Sequence, residues 1–466
     1  MIDILIKNGV VYDPETELCK HMNVGLNKGK IAVITTEDLE ANEIIDASDL
    51  YIVPGFIDIH IHEDPMIGKI INFSTERAML RMGVTTAVGG NCGFSPNNMN
   101  EYIEYISKNG APINTMLLQG YNVIRGRFFS DTEGQSTYRQ GDVFAAITNQ
   151  QIELAKNNIK ESMEAGAAGL SFGLEYTPGC ELEEMVKVCD VLKQYKNALI
   201  AVHYRYDADR CLESINECIE LSRRTGVALE FSHIGSCSGY GDLKYMENSL
   251  ELLKQARSEG VDITSDCYPY TAFSTLIGST VFDDGCLEKW NVGYDAILPT
   301  QGRYKNQYCT KEIFDYLRNE EPDTRVVCFA MKEENVFLAY KDENMIVASD
   351  GKFINDQGHA RTAGTFPRVI GLVSREKGVL TFKEAIKKMT LLPANRMHLS
   401  NKGRLQEGMD ADITIINRDT VIDANTFISP AERPKGIEYV IVDGNIALKN
   451  GEIVAENKGQ FIKRQG

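Results

Sequence analysis

Hydrophobic and polar positions divide the chain into three textures. Near the N-terminus, short extended runs alternate with turn residues. IDILIKNGVVYD reads as two runs about an Asn8-Gly9 turn, and NVGLNKGKIAVI as a hairpin turning near Lys28-Gly29. The tail repeats the texture: ADITIIN is followed by IEYVIVDGNIALKNGEIV, with turn signals at Asp443-Gly444 and Asn450-Gly451. Two hairpin-rich ends around a different middle predict one small β module built from both termini.

In the middle, apolar runs alternate with helical stretches, the pattern of βα units and a parallel sheet. Eight runs read as strands: 54–62, 85–92, 113–121, 168–174, 198–205, 228–234, 261–268 and 345–351. They are rich in Val, Ile and Leu rather than cleanly alternating, as strands buried on both faces are. QIELAKNNIKESMEAG, ELEEMVKVCDVLKQY, CLESINECIELSRRTG and YMENSLELLKQARSEG place apolar residues at helical spacing. The pattern predicts an α/β fold, a (β/α)8 TIM barrel over 55–400, with the β module split between 1–54 and 401–466. Residues 272–344 are too long for a simple loop and contain the single tryptophan, Trp290, and a strand-like TRVVCFAM. They read as an inserted lobe, either a lid beside the active-site end or a structural decoration.

Charge narrows the partners. The net charge is −17, from 66 acidic against 49 basic residues, so a basic nucleic-acid-binding face is not expected. MIDILIKNGVVYDP lacks a basic segment followed by an apolar one, and no run of eighteen apolar residues occurs; neither a signal peptide nor a membrane span is expected. Eleven cysteines without framework spacing or a CxxC pair suit a reduced, cytoplasmic compartment. The expected partner is a small-molecule substrate.

The chemistry lies at strand ends. His60 and His62 close the first predicted strand in Asp58-Ile59-His60-Ile61-His62; residues i and i+2 face one side, so two imidazoles can converge on one metal. A His-x-His pair can also be only a polar strand face. His203 and His233 end the fifth and sixth strands, so four of seven histidines fall where barrel enzymes build their sites. His21, His359 and His398 lie elsewhere. Asp350 ends the last strand, where a carboxylate can ligate a metal and accept a proton. Cys92, in GGNCG, ends the second strand among glycines; a thiolate is a strong zinc ligand.

This constellation resembles the amidohydrolase superfamily, whose barrel carries a β-sandwich formed by both termini. Within it, GGNCGFSP, GLSFGLEYTPG, DITSDCYPYTAFST, ASDG, HARTAGTFPRVIG and MTLLPANRMHLSNKGRLQEGMDAD resemble the D-aminoacylase (N-acyl-D-amino-acid deacylase) family. The resemblance spans nearly the whole chain. It implies zinc-dependent hydrolysis of the amide bond of an N-acyl-D-amino acid. It also implies one tight zinc on Cys92, His203 and His233, and a second, weaker position on His60, His62 and Asp350 with Cys92 shared. Relatives use a carboxylated lysine from the fourth strand instead of this cysteine; AGLSFGL has no lysine, and Glu175 is the nearby carboxylate that could substitute. Asp350 is implied as the proton carrier, Arg361 as the grip on the substrate α-carboxylate, and Tyr268 as a further substrate contact. Two positions depart from the family. Gly235 stands where many members have a basic residue, and Tyr121 where many have a histidine; Tyr121 is expected to take over that polar contact. Two rival readings stay open: a cyclic-amide hydrolase of the hydantoinase or dihydroorotase kind, and a non-catalytic scaffold on the same barrel.

Overall fold

In the computed structural model, residues 2–129 and 143–465 are described. The eight predicted middle strands all form. Phe56–Asp58, Val84–Gly89 and Asn114–Leu117 pair in parallel in one sheet. Gln119–Gly120, Gly169–Gly173, Leu199–His203, Ala228–Phe231, Ile263–Cys267 and Met345–Val347 pair in parallel in that order in another. Their residues are almost all buried, which explains why the runs read as continuously apolar. Gln119–Gly120 follows Asn114–Leu117 after one residue, and Ala168 N donates to Leu117 O (2.8 Å), so the two sheets meet there. They meet again at the far side. Ile61 and Gly351 form a parallel bridge, Asp350 N donates to His60 O (2.8 Å) and His62 N to Gly351 O (2.9 Å).

The predicted helices form as Asn149–Ala165, Leu182–Cys189, Cys211–Thr225 and Lys244–Ser258. The first begins with a capping box in which Thr148 and Gln151 satisfy each other's backbone N–H groups, and it stops at Gly166 in the left-handed conformation. Among the described residues, no helix is long and apolar enough to cross a membrane.

Both termini contribute to one nine-stranded mixed sheet. Its core joins Ile4, Ile6, Val24 and Ile31 to Leu405, Ile413, Ile415 and Ile441. The hairpins at Lys28-Gly29, Asp443-Gly444 and Asn450-Gly451 form as read, with positive φ at both turn residues. Asn8-Gly9 does not turn the chain. Ile2–Tyr12 is a single strand with a bulge between Ile6 and Gly9. Before the bulge it pairs with Ala41–Asp46, after it with Tyr51–Pro54. The positive φ of Asn8 (66°) serves a change of partner rather than a reversal.

The 272–344 stretch is a lobe with its own antiparallel sheet, Ala272–Leu276, Arg325–Phe329 and Ile297–Pro299, with Arg325–Phe329 in the middle. Its interior is aromatic: Trp290 meets Phe273 at 5.0 Å and Phe282 at 5.7 Å between ring centroids.

Candidate metal centre

The candidate ligands converge because each lies at or just beyond the carboxyl end of a parallel strand. Asp58 sets the first. Its Oδ1 accepts both His60 N and Ser349 N (3.1 Å each), tying the first strand to the last. Cys92 is held close by Gly90, whose φ is +78° and whose absent Cβ would stand 1.9 Å from Leu118 O. Three of the six residues leave their strands in the left-handed region: Cys92 (φ 53°), His233 (φ 38°) and Asp350 (φ 49°). Such conformations cost non-glycine residues about 1–3 kcal/mol each and cluster at functional sites.

The donor atoms interlock. His60 Nε2 lies 3.3 Å from Cys92 Sγ and 3.5 Å from Asp350 Oδ1. His62 Nε2 is 3.0 Å from Asp350 Oδ1. Cys92 Sγ is 3.6 Å from His233 Nε2, which is 3.0 Å from His203 Nδ1. Two groups result, His60–His62–Cys92–Asp350 and Cys92–His203–His233, sharing Cys92. A tetrahedral zinc with ligands at about 2.0–2.3 Å spaces its donors roughly 3.3–3.7 Å apart, close to these separations. Thiolate with imidazole is a donor set suited to zinc. The residues fit the ion.

Charge agrees with that fit. Burial alone would raise the Cys92 thiol, but His60, His203 and His233 overcome it and hold the group well below its ordinary range. Burial disfavours a charged His60, yet Asp266, Cys92 and Asp350 hold its pKa well above the usual imidazole value. His203 is pushed up to about 9, Cys92 and Glu175 outweighing burial. His233 goes the other way: burial and the neighbouring His203 lower its pKa below the usual imidazole value.

Residues around the donors orient them. Asp266 Oδ2 lies 3.1 Å from His60 Nδ1, and its Oδ1 accepts His233 N (2.8 Å). Ser236 Oγ is 2.9 Å from His233 Nδ1. Glu175 takes no ligand position: its Oε2 contacts the outer nitrogen of His203, Nε2, at 3.1 Å. Lys289, from the lobe, bridges Glu175 (3.6 Å) and Asp207 (2.6 Å), and Trp290 Nε1 donates to Asp207 (2.7 Å).

A cleft opens on the donors, lined by His62, Cys92, His203, His233, Asp350 and Arg361 among others. Arg361 lies inside it but is already engaged. Its NH2 is 2.7 Å from Asp350 Oδ2, its guanidinium sits 4.5 Å over the Tyr268 ring, and its NH1 and Nε have no partner. The Tyr268 hydroxyl is buried and unpartnered beside it. Tyr121 does not reach the cleft. It is fully buried and donates to Glu184 Oε1 (2.9 Å), which also takes Arg125 Nε (2.8 Å). That buried ion pair fixes the tyrosine, and the expected substrate residue is not among those lining the cleft. His359, read as lying elsewhere, lines the cleft, its Nδ1 accepting Arg361 N (2.9 Å) and its Nε2 donating to Ala272 O (2.9 Å). Sequence reasoning also passed over Asp266, although it ends a predicted strand as His203 does. Arg325, Lys289 and the rest of the lobe's contribution carried no local signal.

Residues 338–448, which carry Asp350 and Arg361, match the model of the "Amidohydrolase family". The matched stretch holds the last parallel strand and the segment that follows it. Over nearly its whole length the chain is similar to D-aminoacylases. The D-aminoacylase of Alcaligenes xylosoxydans xylosoxydans is 26% identical, covering 99% of this chain and 98% of that one. The solved N-acyl-D-glutamate deacylase of Bordetella bronchiseptica, complexed with zinc and a phosphonate inhibitor, is 26% identical with a TM-score of 0.85, covering 99% of each chain. An L-hydantoinase from Arthrobacter aurescens stands further off in fold, with a TM-score of 0.65 at 18% identity and 100% of both chains covered.

Proposed function

We propose that this protein is a zinc-dependent amidohydrolase that cleaves the amide bond of N-acyl-D-amino acids, releasing a carboxylate and a free D-amino acid. The single observation that carries the reading is Cys92 shared between two His-rich donor groups at the floor of a cleft that also holds Asp350 and Arg361. The greater similarity to D-aminoacylases than to hydantoinases, together with a fourth strand without lysine, favours a linear over a cyclic amide.

The framework is a closed (β/α)8 barrel at 55–400, carrying the 272–344 lobe, with a β-sandwich from 1–54 and 401–466. Closure is supported by the Ile61–Gly351 bridge, the sandwich by the bulged strand that changes partners at Asn8-Gly9.

Cys92, His203 and His233 hold the tight ion; His60, His62 and Asp350, with Cys92, hold the second position. A bound zinc ion lowers the pKa of water from about 15.7 toward about 7 and polarises a carbonyl. The chain supplies the rest. Asp350 is held ionised, well below the usual carboxylate range: burial opposes this, and Arg361 and His60 prevail. It therefore accepts the proton of the attacking water at its carboxylate oxygen. When the substrate α-carboxylate takes the Arg361 guanidinium, Asp350 gives up part of that partner, and its proton affinity rises just as it must act. Asp350 then delivers the proton to the departing amide nitrogen. Tyr268, under the guanidinium, keeps Arg361 in the plane that suits bidentate carboxylate binding.

The test is turnover of N-acetyl-D-amino acids, their L-enantiomers and hydantoins by zinc-loaded protein. Hydrolysis of the D-series alone is expected. Hydantoin opening without D-series turnover would replace this reading with the cyclic-amide one, and no gain of activity with zinc would leave the scaffold reading.

A further inference from the structure

The lobe reaches the tight metal position through a histidine it does not touch. His203 presents Nδ1 to the donor group, where it lies 3.0 Å from His233 Nε2. Its other nitrogen, Nε2, meets Glu175 Oε2 at 3.1 Å. A carboxylate there decides which nitrogen carries the proton and how the ring is turned. The barrel sets Glu175 beside His203: Leu174 N donates to His203 O (3.0 Å) and Glu175 N to Tyr204 O (3.0 Å). The rest of the hold on Glu175 comes from the lobe. Lys289 Nζ lies 3.6 Å from Oε1, the oxygen not facing His203, and 2.6 Å from Asp207 Oδ1. Trp290 Nε1 donates to Asp207 Oδ2 (2.7 Å), and Thr280 Oγ1 donates to Glu175 O. Glu175 and Asp207 line the cleft, and Lys289 does not. Two carboxylates almost removed from water thus share one ammonium, and without it they repel at short range.

We infer that Lys289 is a positioning residue for the tight metal position: it holds Glu175 against His203, so the seating of the lobe sets how firmly Cys92, His203 and His233 keep their ion. This rests on the zinc reading above and gives the 272–344 stretch a role beyond forming a wall of the cleft. Removing the ammonium has two consequences of opposite sign. The Glu175 carboxylate turns away from Asp207 and leaves His203 Nε2, which frees the ring to rotate and weakens the hold on the ion. The neighbourhood also becomes more negative, which attracts a dication. The first effect wins, because the hydrogen bond at 3.1 Å depends on where the carboxylate stands, while the repulsion drives that carboxylate away.

The experiment is zinc competition against a chromophoric chelator on wild type, Lys289→Met, Lys289→Arg, Glu175→Gln and the double variant E175Q/K289M, with circular dichroism to check each fold. K289M is expected to weaken the tight zinc by about 10- to 100-fold, the effect of losing an outer partner of a metal-ligating histidine. K289R should keep most of the affinity. The double variant should bind within about twofold of E175Q, since Lys289 acts through Glu175. Visible spectra of the cobalt(II)-loaded proteins should shift alike in E175Q and K289M and stay near wild type in K289R. Zinc held as firmly as in wild type, or more firmly, by folded K289M would overturn the inference. So would losses in the two single variants that add in full. Should K289M not fold, Lys289→Gln takes its place under the same criteria. Wild type without a tight zinc would overturn the metal reading and this inference together, and the wild-type titration alone tells that result apart.

Discussion

Replacing Asp266 with asparagine removes one acceptor and leaves the volume unchanged. The aspartate serves two buried donors: Oδ2 faces His60 Nδ1 at 3.1 Å and Oδ1 accepts His233 N at 2.8 Å. Asparagine has one acceptor and one NH2, so one of these N–H groups must face another donor. Leaving a buried donor unsatisfied costs about 1–3 kcal/mol. Both consequences reach the metal. Without its carboxylate, His60 loses the partner that keeps the proton on Nδ1 and Nε2 turned toward Cys92; without its acceptor, the His233 backbone is freed from its strained φ. Loss of such an outer partner lowers metal affinity by about 10- to 100-fold, or about 1.4–2.7 kcal/mol. The assay is zinc competition with a chromophoric chelator on wild type and D266N, with circular dichroism to check the fold. Zinc affinity within twofold of wild type in folded D266N would refute the argument that Asp266 positions the donors.

Further outcomes follow from the same geometry. Asp350→Asn should lower kcat by at least about 100-fold, the scale of a lost general base, while metal analysis still finds the zinc on Cys92, His203 and His233. Cys92→Ala should strip the tight ion, measured as zinc content after dialysis; a full retained equivalent would count against the shared thiolate. Lys388, buried with its ammonium on the Asp342 and Met345 carbonyls, has its pKa lowered by burial from 10.5 to about 8. Between those values the unfolded chain binds more protons than the folded one, so stability rises with pH across about pH 8 to 10.5. The rise is about 3 kcal/mol. Urea titrations over that range should show the increment in wild type and its absence in K388M.

What the sequence made legible follows from what a strand end determines. A residue that closes a buried parallel strand has its position set by local pattern, so His60, His62, Cys92, His203, His233 and Asp350 could be placed together without coordinates. Asp266 obeyed the same rule, on the strand after His233, and was legible though unread. Asn8-Gly9 was misread because a hairpin and a bulge use the same positive φ; the partners that decide between them, Ala41–Asp46 and Tyr51–Pro54, lie more than thirty residues on. Tyr121 matched a motif position, yet its direction is set by Glu184 and Arg125, which no local pattern couples to it. Arg325 reaches the cleft, and Lys289 reaches Glu175 and Asp207 on its wall, only through the tertiary seating of the lobe.

The left-handed backbone at Cys92, His233 and Asp350 bears on the order of assembly. An unfolded chain rarely visits those conformations at three ligand positions together, and the donors come from five separate strand ends. The framework must therefore stand before the donors meet, and zinc arrives as cargo loaded into a finished vessel rather than as a seed for folding. Chelation should accordingly leave a folded, reloadable protein, and zinc supply in a cell would govern how much of it is active rather than how much of it exists.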